Sequence, residues 1–400
     1  LCAFSSIEAN LSFRPISKKR SISLRRFAVT RGNKSILFEA AAGSGKTTML
    51  AKRALASLGR RALFTTYTDE NTEEIGASLL RMNGSPPKNI DLMPWFTFLL
   101  RHCVKPFLWH AGFGLDSVSG IYLVSKQSAP RTKKESVGHY LTPDGRVYTD
   151  KLAELALYIN ERTHGAVIAR LGSIYDSFFI DEAQDLSGYD LELVEAMLRS
   201  GMSLTMAADQ RQATYHTNNS SKNGKYRDLG LGRFLEDRRL IGLCGIDNQS
   251  LAGCHRCNQQ ILDIANSLYP NLAKASSIRE LSDEDSVLPP VHIVPSEDVR
   301  RYVERWRPVV LRNSAQTHVP EEYLTQNFGA SKGRTYGRVL IYPTDSIRKW
   351  LLNRTEDLKP ITRARFYVAL TRAQHSVGFV GTKDLANRSG LPVFGFSESG

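Results

Sequence analysis

The segment Ala40-Ala-Ala-Gly-Ser-Gly-Lys-Thr47 constrains this chain more than any other feature. It follows a short apolar run, Ser35-Ile-Leu-Phe38, that reads as a buried strand, and it opens a stretch from Thr47 to Leu58 with helical patterning, stopped by Gly59. Glycines let the backbone curl so that several N–H groups face one anion at a helix N-terminus. Ala42, Gly43, Ser44 and Gly45 therefore form a candidate phosphate cradle, with Ala40 where such loops usually begin on Gly. Lys46 is placed to reach the β- and γ-phosphates of a nucleotide, and Thr47 to ligate Mg²⁺.

A loop of this kind needs a parallel sheet around it, and the chain supplies the alternation. Arg61-Ala-Leu-Phe-Thr-Thr66 reads as the next strand and Asn71 to Leu80 as the next helix. Ser177-Phe-Phe-Ile180 and Ser203-Leu-Thr-Met-Ala207 continue the buried-strand signal. A second set follows at Pro308-Val-Val-Leu311, Val339-Leu-Ile-Tyr342 and Ser376-Val-Gly-Phe-Val380. The expectation is an α/β fold of two RecA-like parallel-sheet lobes, 1–240 and 241–400, with a small insertion in the first lobe over about 101–172. Within that insertion Tyr140 to Tyr148 predicts a hairpin turning at Pro143-Asp-Gly145, followed by a helix from near Asp150 to about Glu161.

The strand at Ser177 ends in Asp181-Glu182, which pairs naturally with the phosphate loop. Two carboxylates at a buried strand end can serve a metal and an attacking water: Asp181 as the Mg²⁺ ligand and Glu182 as general base. ATP and Mg²⁺ are thus the expected substrate and metal. The net charge of +13 points to a polyanionic partner. No apolar run approaches the ~20 residues that cross a bilayer. Five scattered cysteines suit a reducing, intracellular setting better than a disulfide framework. Cys244, Cys254 and Cys257, with His255, make only a faint zinc pattern. From Asn10 to Phe38 the chain is basic with no acidic residue, which reads as a segment facing nucleic acid, an organellar transit peptide being the alternative.

Asp181-Glu-Ala-Gln-Asp185 resembles motif II of the UvrD/Rep-type superfamily 1 helicases, and further matches follow in that family's order. Leu63-Phe-Thr-Thr66 is similar to motif Ia, and Pro94-Trp-Phe-Thr-Phe98 loosely to motif Ib. Ala208-Asp-Gln-Arg-Gln-Ala-Thr-Tyr215 resembles motif III, which implies a γ-phosphate sensor at Gln212 and a base-stacking ring at Tyr215. Leu251-Ala-Gly-Cys-His-Arg-Cys257 resembles motif IV, implying a phosphate contact from Arg256. Ala330-Ser-Lys-Gly-Arg-Thr335 resembles motif V, implying nucleotide contacts at Lys332 and Gly333. Tyr367-Val-Ala-Leu-Thr-Arg-Ala373 is close to motif VI, with Arg372 as the arginine finger.

The resemblance implies an ATP-dependent translocase and helicase on single-stranded DNA, of 3′-to-5′ polarity, with Phe64, Thr65, Trp95, Phe96 and Tyr215 touching the strand. Three departures accompany it. No Gln precedes Gln127 to read adenine, Thr335 stands where the family has an acid, and Gly329 where it has His. The stretch from Ser267 to Thr325 is also too short for a full accessory domain. Those departures leave two other readings open: an ATP-gated, nucleic-acid-sensing subunit that controls a partner nuclease in a defence or repair complex, and an RNA helicase.

Overall fold

The computed structural model describes residues 35–395, apart from Leu58 and His216. The basic segment before Ser35, with its targeting or nucleic-acid-facing reading, lies outside the described residues. The chain opens with β1 (Ser35–Glu39), α1 (Lys46–Ala56), β2 (Ala62–Thr66), α2 (Asp69–Asn83) and β3 (Ile90–Pro94). A short α3 (Trp95–Phe98) then runs on through a widened π-type turn, Leu99–Val104. The next elements are β4 (Gly120–Tyr122), β5 (Arg146–Tyr148), α4 (Leu152–Arg162) and α5 (Ala166–Ile174). The first lobe closes with β6 (Ser177–Ile180), α6 (Tyr189–Arg199), β7 (Leu204–Ala208), α7 (Tyr226–Asp237) and β8 (Cys244–Asp247).

These strands make one parallel sheet in the order β3-β2-β6-β7-β1-β8. Its register puts β1 between β7 (Ile36 opposite Thr205) and β8 (Ser35 opposite Cys244). A parallel sheet must be covered on both faces, and the residues comply. On one face Leu50, Ala51 and Ala54 of α1 and Ile75 and Leu79 of α2 bury Phe38, Phe64 and Phe179. On the other, a larger core joins Leu37, Leu63, Phe178 and Met206 to α4, α5, α6 and the segment after β3. Each fully buried aliphatic or Phe side chain there contributes ~1.5–3 kcal/mol.

Local signals set the helix ends. The Thr68 hydroxyl accepts from the Asn71 N–H at 3.2 Å and starts α2 two residues before the expected Asn71, while Gly84, at φ 75°, ends it. The predicted hairpin forms: Thr142 N–H donates to Arg146 C=O at 2.8 Å and Tyr148 N–H to Tyr140 C=O at 3.0 Å. Its inner residues Tyr140, Leu141 and Val147 belong to the first lobe's core, so the insertion is packed down and is not an appendage.

The second lobe begins with two-residue strands β9 (Gly253–Cys254) and β10 (Ser276–Ser277), with α8 (Gln259–Ser267) between them. Then come β11 (Val291–Pro295), α9 (Val299–Trp306), β12 (Val309–Arg312), β13 (Thr325–Asn327) and β14 (Tyr336–Tyr342). It ends with α10 (Asp345–Leu352), α11 (Pro360–Leu370), β15 (Ala373–Gly381) and α12 (Lys383–Ser389). The sheet order is β11-β15-β14-β12-β13, again all parallel. The fold is therefore α/β with two parallel-sheet lobes, as expected. The lobe boundary shifts from 240: β8 pairs with β1 and belongs to the first sheet, which the chain leaves only after Asp247. Gly245 and Asp247 dilute the apolar signal of that strand, so it does not stand out in the sequence.

Candidate functional site

The cleft between the lobes holds a cavity of about 780 Å³ walled by Gly43 to Met49, Asp181 and Glu182 from one side and by His255, Arg256, Gly333, Thr335 and Arg372 from the other. Gly43 (φ 72°) and Gly45 (φ 85°) adopt left-handed backbone that only glycine takes without strain, which curls the loop over the start of α1. Lys46 folds its ammonium onto the loop's own carbonyls, donating to Ala40 at 3.0 Å and Ala41 at 2.9 Å. Ser44 lines the cavity, and its buried hydroxyl has no protein partner among the described residues. A loop with an orphan hydroxyl, a lysine and a helix N-terminus fits a polyphosphate.

The opposite lobe closes directly on this loop. His255 N–H donates to the Gly43 carbonyl at 2.9 Å, and Ala42 N–H donates to the Tyr367 hydroxyl at 3.3 Å. A Cβ on Gly43 would lie 2.7 Å from Arg256 Cβ and 2.8 Å from Cys254 Sγ, so glycine alone permits this approach.

At the end of β6, Asp181 accepts from the Thr47 hydroxyl at 2.6 Å, which joins the two expected Mg²⁺ ligands. Glu182 sits at φ 54°, a left-handed conformation that costs a non-glycine residue ~1–2 kcal/mol. Such strain is kept where the surroundings over-determine it. Here Gln184 ties the turn together: its amide donates to the Glu182 carboxylate, and its carbonyl accepts from Asp209 N–H at 2.9 Å. Burial and the adjacent Glu182 charge push Asp181 up. Burial acts on Glu182 in the same sense, but the cations Lys332 and Lys46 outweigh it and hold Glu182 well below the usual carboxylate range. Glu182 is the more acidic member of the pair.

Lys332 itself lies elsewhere than the resemblance implies. Its ammonium pairs with Asp185 at 2.8 Å and Glu182 at 3.3 Å, while its neighbour Gly333 lines the cavity. Lys332 is thus a cross-lobe counter-ion to the acidic strand end. The turn Gly329–Ser331 immediately precedes it, and its ammonium ends on the first lobe's acids and not on the cavity wall. Asp185 is pushed up to about 7 by burial, against the pull of Lys332.

The two arginines are held differently. Arg256 donates to Thr371 C=O at 3.2 Å and keeps the rest of its guanidinium on the cavity wall. Arg372 is buried yet also lines the cavity, donating to Val368 C=O at 3.1 Å, Arg334 C=O at 3.2 Å and the Gln212 carboxamide oxygen at 3.1 Å. Gln212 in turn donates to Asp209 at 2.8 Å. Burial and the nearby Arg256 charge bring Arg372 down to about 10, which leaves it cationic at neutral pH. Lys46, Asp181, Glu182, Gln212, Arg256 and Arg372 thus meet on one cavity. Thr335 lines it too, where an acid was missing from the pattern.

The expected strand contacts divide. Phe64 is fully buried on β2, its ring 5.9 Å from Phe179, and cannot stack on a base in this arrangement. Thr65 is buried beside it. Trp95 is a core residue whose indole N–H donates to Asp190 at 2.7 Å. These three are corrected to structural roles: β2 is an inner strand, so Phe64 and Thr65 are covered on both faces, and Trp95, opening α3, packs into the first lobe's core. Phe96 and Tyr215 remain half-exposed and join Tyr67, with ring centroids 5.6 Å (Tyr67 to Phe96) and 5.8 Å (Tyr67 to Tyr215) apart. Tyr67 was not expected from the sequence. Its only signal is position, the first residue past β2 where a strand's C-terminal edge faces a ligand. Gly329, the residue in place of His, lies against the Tyr215 hydroxyl: a Cβ there would be 3.1 Å away.

Cys244 lies in β8 of the first sheet, while Cys254 ends β9 and Cys257 precedes the N-cap of α8, and no cluster of three or more metal-ligating His, Cys, Asp or Glu occurs among the described residues. No helix among them is long and apolar enough to cross a membrane.

No protein-family model and no curated protein matches this chain. Solved structures that match the chain include the Arterivirus nonstructural protein 10 (helicase), at TM-score 0.45 and 17% identity over 88% of this chain and 61% of that one. The same helicase in complex with DNA gives 0.43 and 18%, over 89% and 63%. The PRRSV helicase gives 0.42 and 16%, over 90% and 56%. The chain spans about three-fifths of the length of the helicase in the first two structures.

Proposed function

We propose that the chain is an ATP-driven translocase and helicase on single-stranded DNA, a compact superfamily 1 enzyme of the UvrD/Rep type moving 3′-to-5′. One observation carries the reading: phosphate loop, ionised Glu182 and two arginines from the other lobe line a single cavity. The triphosphate lies along Gly43 to Lys46, and Lys46 leaves the Ala40 and Ala41 carbonyls for the β- and γ-phosphates. Thr47 and Asp181 hold Mg²⁺, which supplies charge neutralisation on those phosphates. Glu182 takes the proton of the attacking water as the water's oxygen bonds to the γ-phosphorus and the bond to the ADP oxygen breaks. Arg372 and Arg256 stabilise charge on the phosphoryl group in flight, an effect worth roughly 10³–10⁵ in rate for such fingers.

Loss of phosphate removes the anion that holds the arginines to the first lobe, so the lobes part and close with each turnover. The rings of Tyr67, Phe96 and Tyr215 supply a stacking platform on which a strand is gripped, base–aromatic stacking being worth ~1–3 kcal/mol per base. Between Ser267 and Thr325 the described chain builds β10 to β12 and α9, elements of the second lobe itself, so duplex separation falls to the packed insertion or to a partner.

The test is ATP turnover by the purified chain with and without single-stranded DNA or RNA, beside unwinding of duplexes carrying 3′ or 5′ tails. Strong stimulation by DNA and displacement from the 3′ tail are expected, with both lost in Lys46→Ala. Turnover indifferent to any strand sinks the translocase. Stimulation without unwinding favours the nuclease-controlling subunit, and stimulation by RNA alone favours the RNA enzyme.

A further inference from the structure

Beside the phosphate loop, on the face of the second lobe, sits a pair of thiols that nucleotide chemistry does not use. Cys254 ends β9, and Cys257 immediately precedes Asn258, whose side chain caps α8 by accepting from Ile261 N–H at 3.1 Å. A three-residue spacing at a helix start brings two cysteines within the range that a disulfide spans, Cα atoms about 4.4–6.8 Å apart. The two already interact: Cys257 N–H donates to Cys254 Sγ at 3.4 Å. The Cys257 thiol in turn donates to Thr371 C=O at 3.6 Å, one residue before Arg372 and on the same carbonyl that Arg256 holds.

Burial ordinarily raises a thiol's pKa and keeps it inert. Cys254 goes the other way, down to about 6, because the Cys257 thiol, the backbone N–H groups of Cys257 and Arg256, and the Arg256 charge favour its thiolate over the cost of burial. Cys257 is pushed well up by the same contact and by burial. The result is one nucleophilic sulfur beside one protonated partner, the division of labour that dithiol oxidation needs. Cys103 and Cys244, the other described cysteines, are buried and lie in the first lobe.

The phosphate loop packs directly on Cys254, which also belongs to the second lobe's apolar core. A Cβ on Gly43 would sit 2.8 Å from its sulfur, and the His255 N–H to Gly43 C=O bond pins the two segments together. Contact between the lobes therefore shields the side of Cys254 that faces the phosphate loop.

We propose that Cys254 and Cys257 are a redox modification site, closing to a disulfide under hydroperoxides when the lobes part and reopening with thiol reductants. The Cys254 thiolate attacks the O–O bond of a hydroperoxide, giving a sulfenic acid and, after protonation, one molecule of alcohol or water. Cys257 sulfur then attacks the Cys254 sulfur; the S–S bond forms, hydroxide leaves and takes the Cys257 proton as water. Two thiols are oxidised by two electrons and one peroxide bond is reduced. The disulfide removes the Cys257 donor from Thr371 C=O and reshapes the turn that carries His255 and Arg256 against the phosphate loop.

The experiment treats the full chain with hydrogen peroxide, with and without a non-hydrolysable ATP analogue and Mg²⁺, and follows the Cys254–Cys257 cross-linked peptide by non-reducing mass spectrometry. The expected result is a linked peptide that forms readily in the free protein, more slowly with the analogue, and disappears with dithiothreitol. Protection by the analogue rests on the proposed function; formation of the link does not. Strand-stimulated turnover should fall with the link and recover on reduction, while Cys254→Ser and Cys257→Ser keep their turnover under oxidant. Absence of the linked peptide from peroxide-treated free protein overturns the proposal, as does equal loss of turnover in wild type and both Ser variants. No turnover even when reduced, with the link still forming, overturns the proposed function and leaves the modification site standing.

Discussion

Arg372 reaches across the interface to place its guanidinium 3.1 Å from the carboxamide oxygen of Gln212, and through Gln212 it is tied to Asp209 at the end of β7. The arginine of one lobe is thereby positioned by a strand end of the other, next to the cavity that both line. Replacing Arg372 with Ala should cut kcat by roughly 10³-fold or more while leaving nucleotide binding within a small factor. Gln212→Ala should lose less in rate, and the double variant should be no worse than Arg372→Ala alone, since the two act as a unit. Single-turnover kinetics on the four proteins measures this, and strict additivity would separate the roles.

Lys332 is the single cation between Glu182 and Asp185 among the pairs described there. Lys332→Ala leaves two buried carboxylates without it, and breaking a buried pair from one side costs about 3–5 kcal/mol. It also removes the largest influence holding Glu182 down. The acidic limb of the kcat–pH profile should therefore move to higher pH in the variant. Urea unfolding and a pH–rate profile report the two effects separately.

Strand affinity should depend on rings that the fold leaves half-exposed. Tyr67→Ala and Tyr215→Ala are each expected to weaken single-stranded DNA binding by ~1–3 kcal/mol at fixed salt. Phe64→Ala should instead destabilise the protein by about 3–5 kcal/mol, as the loss of a core ring does, with strand affinity of the folded fraction little changed. Fluorescence anisotropy beside thermal melts tells them apart.

Asp190 is buried, accepting from Trp95 Nε1 at 2.7 Å and from the Thr217 hydroxyl at 2.5 Å, with burial pushing it up to about 6. Its folded pKa lies above the unfolded value of 3.8, so ionisation is disfavoured in the native state. The associated stability is full below about pH 4 and is lost as pH rises towards 6, a change of about 3 kcal/mol by linkage. Asp190→Asn keeps an acceptor for Trp95 and should flatten this part of the stability–pH curve relative to wild type. Equal slopes in the two proteins between pH 4 and 6 contradict the assignment.

What the sequence disclosed follows from which residues carry local information. The phosphate loop, Asp181-Glu182 and Arg372 are fixed by backbone needs and by charge in fixed order, and they converge on one cavity. Strands β1, β2, β6, β7, β14 and β15 contain apolar runs that mark them as buried. β13, Thr325-Gln-Asn327, has no such run, since an edge strand is held by backbone hydrogen bonds and not by its side chains. The role of Phe64 is not legible in the sequence because an aromatic inside a strand reads alike whether it faces a groove or a covering helix. Nothing local in Ser331-Lys-Gly333 says which side of the interface the Lys332 amine will find, and it finds Glu182 and Asp185.

Ala41 and Ala42 of the phosphate loop pack into the apolar core of the second lobe, although β1 and α1 on either side belong to the first. The cradle is thus shared tissue between two bodies. A first lobe expressed by itself would carry these methyl groups bare and would lose the Tyr367 hydroxyl that steadies the Ala42 amide. Nucleotide affinity should accordingly be a property of the joined pair, and splitting the chain after Asp247 would blunt the grip on phosphate even with every loop residue intact.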